Sequence, residues 1–302
     1  MRSLRALGEV GLIARLAQRI EASASVKVGI GDDAAVLRAP RGGWLLFASD
    51  MLVEGVHFHR RRVPAHWIGW KALACNISDI AAMGGLPHWA VVSLGLPPKT
   101  PVSFVDALYA GLRRCARRFD MVIVGGDTVR SPQIVVDVAI LGEVQPEHLT
   151  LRRGVRVGDL LFVTGRLGGS YRSGRHARFL PRLREAQELV RRFRVHAMMD
   201  LSDGLASDLW QMSRASGVTL RVCASRIPVS SAGRSVQHAL MDGEDFELLF
   251  AVAPRVAAQL PRRLGRCPLT CIGEAVGRGV NVELERPDGR ILQLRPTGFR
   301  HF

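Results

Sequence analysis

The chain contains 302 residues, 47% of them hydrophobic, which is enough for one or two globular domains with buried cores. No apolar run approaches the roughly 20 residues that span a bilayer, and Gly8, Glu9 and Arg15 interrupt what would be the apolar core of a signal peptide. The formal net charge of +15 at pH 7 is compatible with a nucleic-acid partner, an anionic metabolite or a merely solvated surface, and alone it identifies none of them.

In the first half of the chain, apolar periodicity and alanine content predict three helices, at residues 9–20, 65–83 and 102–119. The second of these ends at Gly84-Gly85, a typical helix C-cap. Apolar runs bounded by turn residues predict five strands, at residues 26–30, 44–48, 90–96, 121–124 and 134–144.

A proline and two glycines within residues 145–158 predict a domain boundary, which divides the chain into residues 1–145 and 146–302. The second half has predicted helices at residues 181–194 and 205–216. Its predicted strands lie at residues 160–164, 219–223, 246–252 and 280–284, and a short run at residues 196–199 precedes Asp200. This mixed order favours an α+β fold in each half over a doubly wound sheet.

Six acidic segments lie at the ends of these elements, each among glycine, small or apolar residues. Any one of them alone is typical of a helix N-cap or an Asx-turn. Together they favour a site for several Mg²⁺ ions, because Mg²⁺ prefers oxygen ligands and shares them with substrate phosphates. The segments are Gly31-Asp32-Asp33, Ser49-Asp50, Asn76-Ile77-Ser78-Asp79, Gly125-Gly126-Asp127-Thr128, Asp200-Leu201-Ser202-Asp203-Gly204 and Gly243-Glu244-Asp245.

Asp79 is the sharpest of these candidates, because its predicted helix carries almost no other charge. An ionised carboxylate that is buried costs several kcal/mol unless it is paired or bound to a metal. Asn76 lies three residues earlier on the same face, but a neutral amide does not balance the charge. An exposed aspartate near a helix end is the alternative.

The glycine-rich segments suggest contact with phosphate. Gly125-Gly126-Asp127-Thr128 follows the predicted strand 121–124, where backbone N–H groups can approach a phosphate while the aspartate holds metal. The loop around Gly165, Gly168 and Gly169 is a weaker phosphate-loop candidate. The chain has no GxxxxGK[ST], GxSxG, HExxH or HRD–DFG motif.

Two compositional features bear on location and partners. The five cysteines are odd in number and form no CxxC pair, so we expect a reduced, cytoplasmic protein. Nine arginines lie between positions 166 and 194, but no aromatic-interleaved basic motif or zinc-finger spacing accompanies them. We therefore expect neither a membrane nor nucleic acid to be the partner.

Seven motifs, spread in order along the chain, closely resemble those of the thiamine-monophosphate kinases. Two of them, Val-Glu-Gly-Val-His-Phe at 53–58 and Gly-Glu-Asp-Phe-Glu-Leu at 243–248, are specific to this family within its superfamily, which also contains aminoimidazole ribonucleotide synthetase. The motifs occupy residues 29–36, 50–58, 71–84, 125–128, 200–205, 243–248 and 298–302.

The resemblance implies a two-domain, aminoimidazole ribonucleotide synthetase-like fold. An N-terminal domain with a mixed sheet would bind ATP and metal, pair with a second copy in a homodimer, and be followed by a C-terminal α/β sandwich. The implied reaction is direct, in-line phosphoryl transfer from ATP to thiamine monophosphate, which gives thiamine diphosphate and ADP without a covalent nucleophile on the enzyme.

The resemblance also implies a role for particular residues. Those that would hold Mg²⁺ ions are Asp32, Ser49, Asp50, Asp79, Asp127, Asp200 and Asp203. Those that would contact ATP are Gly126, Asp127, Arg152 and Ser202, with Tyr109 a fainter candidate. Those that would contact thiamine monophosphate are His57, Glu244 and Phe299.

Two other functions are alternatives. One is an ATP-dependent synthetase of the same superfamily that acts on another small molecule; the chain has neither the N-terminal catalytic Cys or Lys of selenophosphate synthetase nor the C-terminal cysteine of the hydrogenase-maturation protein. The other is a nucleic-acid-binding protein that uses the arginine-rich surface, which a salt titration on heparin distinguishes from an enzyme.

Overall fold

The structure is a computed structural model that describes residues 4–18, 23–39 and 42–299. Two mixed sheets, each with its own helices, follow one another along the chain. The first half contains α1 (Leu4–Ala17), β1 (Val26–Val28), β2 (Ala35–Arg38), β3 (Trp44–Val53), α2 (Ala65–Ala82), β4 (Leu86–Leu96), α3 (Val102–Arg118), β5 (Val122–Arg130) and β6 (Val135–Val144). The predicted end of the first helix at Ile20 and the final residues 300–302 lie outside the described residues.

The second half is richer in strands than the sequence predicted. It contains β7 (Leu160–Thr164), α4 (Ser170–Ser173), α5 (Leu183–Arg192), β8 (Val195–Asp200), α6 (Leu205–Ser216), β9 (Val218–Cys223), α7 (Val236–Met241), β10 (Leu248–Val252), α8 (Pro254–Ala257), β11 (Arg263–Leu264), β12 (Cys267–Arg278), β13 (Asn281–Glu285) and β14 (Ile291–Gln293). The two mixed sheets and their helices confirm the α+β fold.

The first sheet has six strands in the order β1-β2-β3-β6-β4-β5, and all neighbours are antiparallel except β4 and β5. Helix α2 lies on β3, β6 and β4, and α3 packs beside it. The opposite face carries large exposed apolar side chains, among them Phe47, Met51, Trp89 and Val91. One face of this sheet is therefore covered by helices and the other is apolar and exposed.

The second sheet has the strand order β14-β13-β9-β12-β7-β10-β8, with β11 paired to β12. Its central strands are buried on both faces. In β10, Leu248 and Phe250 pack into a core that contains α2, whereas Leu249 and Ala251 pack under α6. Burial on both faces explains why this strand reads as a continuous apolar run.

Helix α2 is buried along nearly its whole length because both halves of the chain cover it. The first sheet and α3 cover one side, and α5 and β8 cover the other. Trp70, in the second turn of this helix, donates its indole N–H to the Phe179 carbonyl at 2.7 Å. The core around α2 is thus continuous from one domain to the other. Among the described residues, no helix is long and apolar enough to cross a membrane.

One sequence-based interpretation of the first sheet was wrong. Gly125, Gly126 and Asp127 were expected to follow a strand that ends at residue 124, but they lie inside β5, which runs on to Arg130. Gly126 is needed there because a Cβ atom at this position would lie 1.8 Å from the carbonyl oxygen of Val92 on β4. Gly126 therefore allows close strand pairing at this edge of the sheet.

Candidate functional site

Three carboxylates meet where the two domains touch. Asp33 lies in the turn before β2, Asp79 in the last turns of α2, and Asp200 at the end of β8. One carboxylate oxygen from each lies within 4.8 Å of the other two. Asp79 and Asp200 were predicted as metal ligands from the sequence. In the first acidic segment the predicted ligand was Asp32, and its neighbour Asp33 was not included.

The carboxylates of this acidic centre are difficult to ionise. Burial, and then the charge of Asp33, raise the pKa of Asp200 to about 8, against the opposing effects of Ser78 and Arg152. Burial and the nearby Asp50 and Asp200 raise the pKa of Asp79 well above its ordinary range. These shifts mean that the negative charge brought together here exceeds what the local hydrogen bonds balance.

Asp32 and Asp50 belong to the same group of charges. Burial, followed by Asp33, raises the pKa of Asp32 to about 6. Burial, followed by Asp137 and Asp33, raises the pKa of Asp50 to about 6, while Lys71 lowers it. Oxygen ligands with excess negative charge are the donor set that Mg²⁺ prefers, so the residues present fit a magnesium site.

Arg152 reaches this centre from the segment that joins the domains. Its backbone N–H donates to Asp32 Oδ1 at 3.1 Å, and its Nε donates to Asp33 Oδ1 at 3.0 Å. The neighbouring Arg153 is exposed. The structure therefore brings Arg152, and not Arg153, to the predicted phosphate site.

Lys71 is a buried cation of the site that sequence reasoning missed. Its side chain is 1% exposed, its Nζ donates to the His57 carbonyl at 2.9 Å, and it forms an ion pair with Glu244. Two residues predicted to contact the substrate, His57 and Glu244, are thus held by one ammonium group. The sequence did contain an indication of this role, because Lys71 is the only lysine of the apolar helix predicted at 65–83 and begins the family motif at 71–84.

The C-terminal segment adds an aromatic ring to the same place. The Phe299 ring centroid lies 6.2 Å from that of His57. The Phe299 N–H donates to the Asp203 carbonyl at 3.1 Å, and a Cβ atom at Gly298 would lie 2.2 Å from that oxygen. Gly298 therefore lets the C-terminal segment lie against the acidic segment 200–204.

The 200–203 and 243–247 segments are joined by backbone hydrogen bonds. Glu244 N–H donates to the Ser202 carbonyl at 2.7 Å, and Phe246 N–H donates to Leu201 at 2.8 Å. Glu244 and Phe246 both have positive φ angles, of 52° and 48°, which are unusual for residues with side chains. Ser202, predicted to contact ATP, lies half-buried beside this turn.

Ser49 and Asp127 are not brought to the acidic centre by their side chains. Strand register pairs Asp127 with Ser93 and Ser93 with Asp137, so these side chains share one face of the first sheet. Ser49 Oγ donates to Asp137 Oδ1 at 3.0 Å on that same face. Asp137 is a further acidic residue that no sequence motif indicated.

Tyr109, the weaker nucleotide candidate, is half-buried on α3 and packs against the core of the first domain.

The glycine loop at residues 165–169 was the weaker phosphate-loop candidate. The N–H groups of Gly168 and Gly169 donate to the carboxylates of Asp245 and Asp242, each at 2.7 Å. Because carboxylates occupy these donors, the interpretation of this loop as a phosphate loop was wrong.

Fold and site together define the class of protein. Residues 31–144 match the family model of the AIR synthase related protein, N-terminal domain, and residues 157–285 match the model of the C-terminal domain. The chain therefore belongs to the AIR synthase related proteins, as the two-domain α+β fold indicates.

Full-length relatives identify the family more narrowly. The chain is 38% identical to the thiamine-monophosphate kinase of Rhodopirellula baltica, covering 97% of each chain, and 36% identical to that of Synechococcus elongatus, covering 100% of this chain and 98% of the relative. A solved structure of AaThiL complexed with AMPPCP and TMP superimposes with a TM-score of 0.86 at 32% identity, covering 100% of this chain and 99% of that one. The chain belongs to the thiamine-monophosphate kinase family, which confirms the resemblance of its motifs.

Proposed function

We propose that this protein transfers the terminal phosphoryl group of ATP to thiamine monophosphate, giving thiamine diphosphate and ADP. The observation that carries the proposal is the meeting of Asp33, Asp79 and Asp200 at the domain junction. It is supported by the relatives, which are named thiamine-monophosphate kinases, and by the AaThiL structure, which holds an ATP analogue together with TMP.

The acidic residues are proposed to hold Mg²⁺, which would neutralise phosphate charge during transfer. The carboxylates at the junction are the principal ligands, and Ser49 and Asp127 belong to a neighbouring group around Asp137. The full proposed set is Asp32, Asp33, Ser49, Asp50, Asp79, Asp127, Asp200 and Asp203.

The nucleotide is proposed to lie against Gly126, Asp127, Arg152 and Ser202. Arg152 supplies a guanidinium that is already oriented by Asp33, so little side-chain freedom is lost when phosphate binds. The attacking group is itself a phosphate monoester, largely ionised near neutral pH, so no strong base and no covalent nucleophile are needed.

The thiamine part of the acceptor is proposed to lie at His57, Glu244 and Phe299. The Phe299 ring is 41% exposed and offers an aromatic face to the cationic thiazolium, a contact worth about 0.5–2 kcal/mol. His57 Nδ1 accepts a hydrogen bond from the Val53 N–H at 3.0 Å, which fixes the orientation of the imidazole. The ion pair with Lys71 restrains the position of the Glu244 carboxylate.

We further propose a cytoplasmic homodimer. The exposed apolar face of the first sheet extends over β3, β4 and β5, and among the described residues β5 pairs only with β4. Burial of this face against a second copy removes apolar surface from water, which is favourable at about 25 cal/mol per Å². The side chains concerned are Phe47, Met51, Trp89, Val91, Val122, Val124 and Val129.

The test is an assay for thiamine diphosphate formed from thiamine monophosphate, ATP and Mg²⁺. We expect product with all three present and none after chelation of the metal. Free thiamine serves as the comparison substrate, because the proposed acceptor site uses the first phosphate to position the attacking oxygen. If free thiamine is phosphorylated as fast, the proposed acceptor is wrong.

A further inference from the structure

Gln211 lies between two charged groups of the proposed site. It is half-buried in α6, two turns after Asp203. Its Oε1 accepts a hydrogen bond from Arg152 Nη1 at 2.6 Å, and its Nε2 donates to Asp203 Oδ2 at 3.1 Å. The side-chain amide therefore binds a cation with its oxygen and an anion with its nitrogen.

These two contacts complete a chain that crosses the domain junction. Arg152 donates hydrogen bonds from Nε and Nη2 to Asp33 Oδ1 at 3.0 and 2.5 Å, and from Nη1 to Gln211 Oε1. With both edges of the guanidinium occupied, rotation of the Arg152 side chain is restricted. Gln211 also makes a long contact of 3.5 Å with Asp208, a fully buried carboxylate on the same helix.

We propose that Gln211 is a positioning residue, which orients Arg152 toward the nucleotide and keeps Asp203 in register with it. The proposal rests on the proposed function for the identity of the ligand. Charged hydrogen bonds are worth more than neutral ones, so a neutral amide between a guanidinium and a carboxylate is well suited to this task. A carboxylate at this position would add charge beside Asp203, and an apolar side chain would leave both neighbours without this contact.

The chain offers a matched control in Gln187. Its Nε2 donates to the carbonyl oxygens of Gly84 and Gly85 at 2.9 and 2.8 Å, so it also joins the two domains. Neither of these partners is charged. Gln211→Met and Gln187→Met therefore remove the same amide from the same junction, but only the first removes it from charged groups.

The decisive measurement is calorimetric binding of Mg²⁺–AMPPCP, a nucleotide analogue that is not turned over. We expect Gln211→Met to weaken this binding about tenfold, the loss of one hydrogen bond to a charged group, with a matching rise in KM for ATP. The KM for thiamine monophosphate should change less than about twofold, because His57, Glu244 and Phe299 keep their contacts. Gln187→Met should lower the melting temperature and leave nucleotide binding as in the unmodified protein.

A second variant guards against loss of fold. Gln211→Glu retains an oxygen that accepts from Arg152, and we expect its nucleotide affinity to lie between that of Gln211→Met and that of the unmodified protein. The proposal is overturned if Gln211→Met binds the analogue normally, or if Gln187→Met weakens binding equally. If the unmodified protein binds the analogue but forms no thiamine diphosphate, the proposed reaction fails while the role of Gln211 is still decided by the binding data.

Discussion

Lys71 and Asp79 are two ionisable residues of opposite sign on the same apolar helix, the first buried and the second half-buried. Asp79 was predicted to be functional because burial of an unbalanced carboxylate is costly. Lys71 was missed, because lysine usually extends its flexible stem to reach water and a sequence gives no reason to bury it. In the structure the buried ammonium group has two partners: it donates a hydrogen bond to the His57 carbonyl and forms an ion pair with Glu244.

The first prediction concerns the repulsion around Asp79. Asp79→Asn should raise the melting temperature of the metal-free protein, because it removes one of the crowded carboxylates of the acidic centre, whose pKa is raised by burial and by Asp50. The same variant should lose most of the stabilisation that Mg²⁺ gives the unmodified protein, and its activity should fall at least about 100-fold. Thermal unfolding with Mg²⁺ and with EDTA measures both effects; a Mg²⁺ shift equal to that of the unmodified protein removes Asp79 from the metal site.

The second prediction concerns Phe299. Phe299→Ala should raise the KM for thiamine monophosphate roughly 5- to 30-fold and leave the KM for ATP unchanged, because one contact with the cationic ring is lost. Leu292→Ala, at another exposed apolar side chain near the C-terminus, is the control and should change neither value. A lower melting temperature with both KM values unchanged would instead assign Phe299 to the core.

At the level of elements, the segment 243–247 is a strained turn held in place by buried ion pairs. Two left-handed residues cost about 1–3 kcal/mol each. Glu247, 1% exposed, offsets this cost: its carboxylate accepts from Thr164 at 2.7 Å and from Arg182 Nε and Nη2 at 2.6 Å each, and it pairs with Arg175. Two arginines of the basic 166–194 segment are therefore partners of a buried carboxylate.

The third prediction tests this role of the basic segment. Arg182→Met should lower the free energy of unfolding by about 3 kcal/mol, because it removes a two-point contact from a buried carboxylate. Arg184→Met, two residues away on the exposed side of α5, should change it by less than about 0.5 kcal/mol. Urea unfolding of both variants is the measurement, and equal losses would show that the buried pair is not the cause.

Helices were predictable from the sequence where spacing and caps agree. The bounds of α6, Leu205–Ser216, and of β7, Leu160–Thr164, match the prediction. Two strands were predicted too short because polar or glycine residues, which usually end a strand, lie inside them. These residues are Ser49-Asp50 in β3 and Gly125-Gly126 in β5. The long β12 was missed because Pro268, Gly273 and Gly277 interrupt its pattern.

The candidate site was predictable only in part for a similar reason. Asp79 and Asp200 were predicted from the acidic segments in which they lie, whereas Arg152 was predicted from the family resemblance alone. The proposed roles of Asp137 and Gln211 depend on neighbours distant in the chain: Ser49 for Asp137, and Arg152 with Asp203 for Gln211. Periodicity and local motifs carry no record of such contacts.

At the level of the whole molecule, the exposed apolar face of the first sheet predicts an assembly. Val124→Glu should convert the proposed dimer to a monomer, because its side chain is 59% exposed on the edge strand and a buried unpaired charge is costly. Val102→Glu, at a side chain 75% exposed at the start of α3, is the control and should leave the dimer intact. Sedimentation velocity distinguishes the species; a Val124→Glu dimer as stable as the unmodified one places the interface elsewhere.

Both domains are needed to cover α2, and this affects how the protein folds during its synthesis. The ribosome releases α2, which ends at Ala82, well before α5, which begins at Leu183, and β8, which ends at Asp200. During this interval the most apolar helix of the nascent chain has one side uncovered, and Asp79 lies without the second-domain segment that faces it. Exposed apolar surface of this kind is what chaperones bind and what drives aggregation. Translation must therefore pass well into the second domain before α2 is covered, and a polypeptide that ends between the domains keeps one side of this helix exposed.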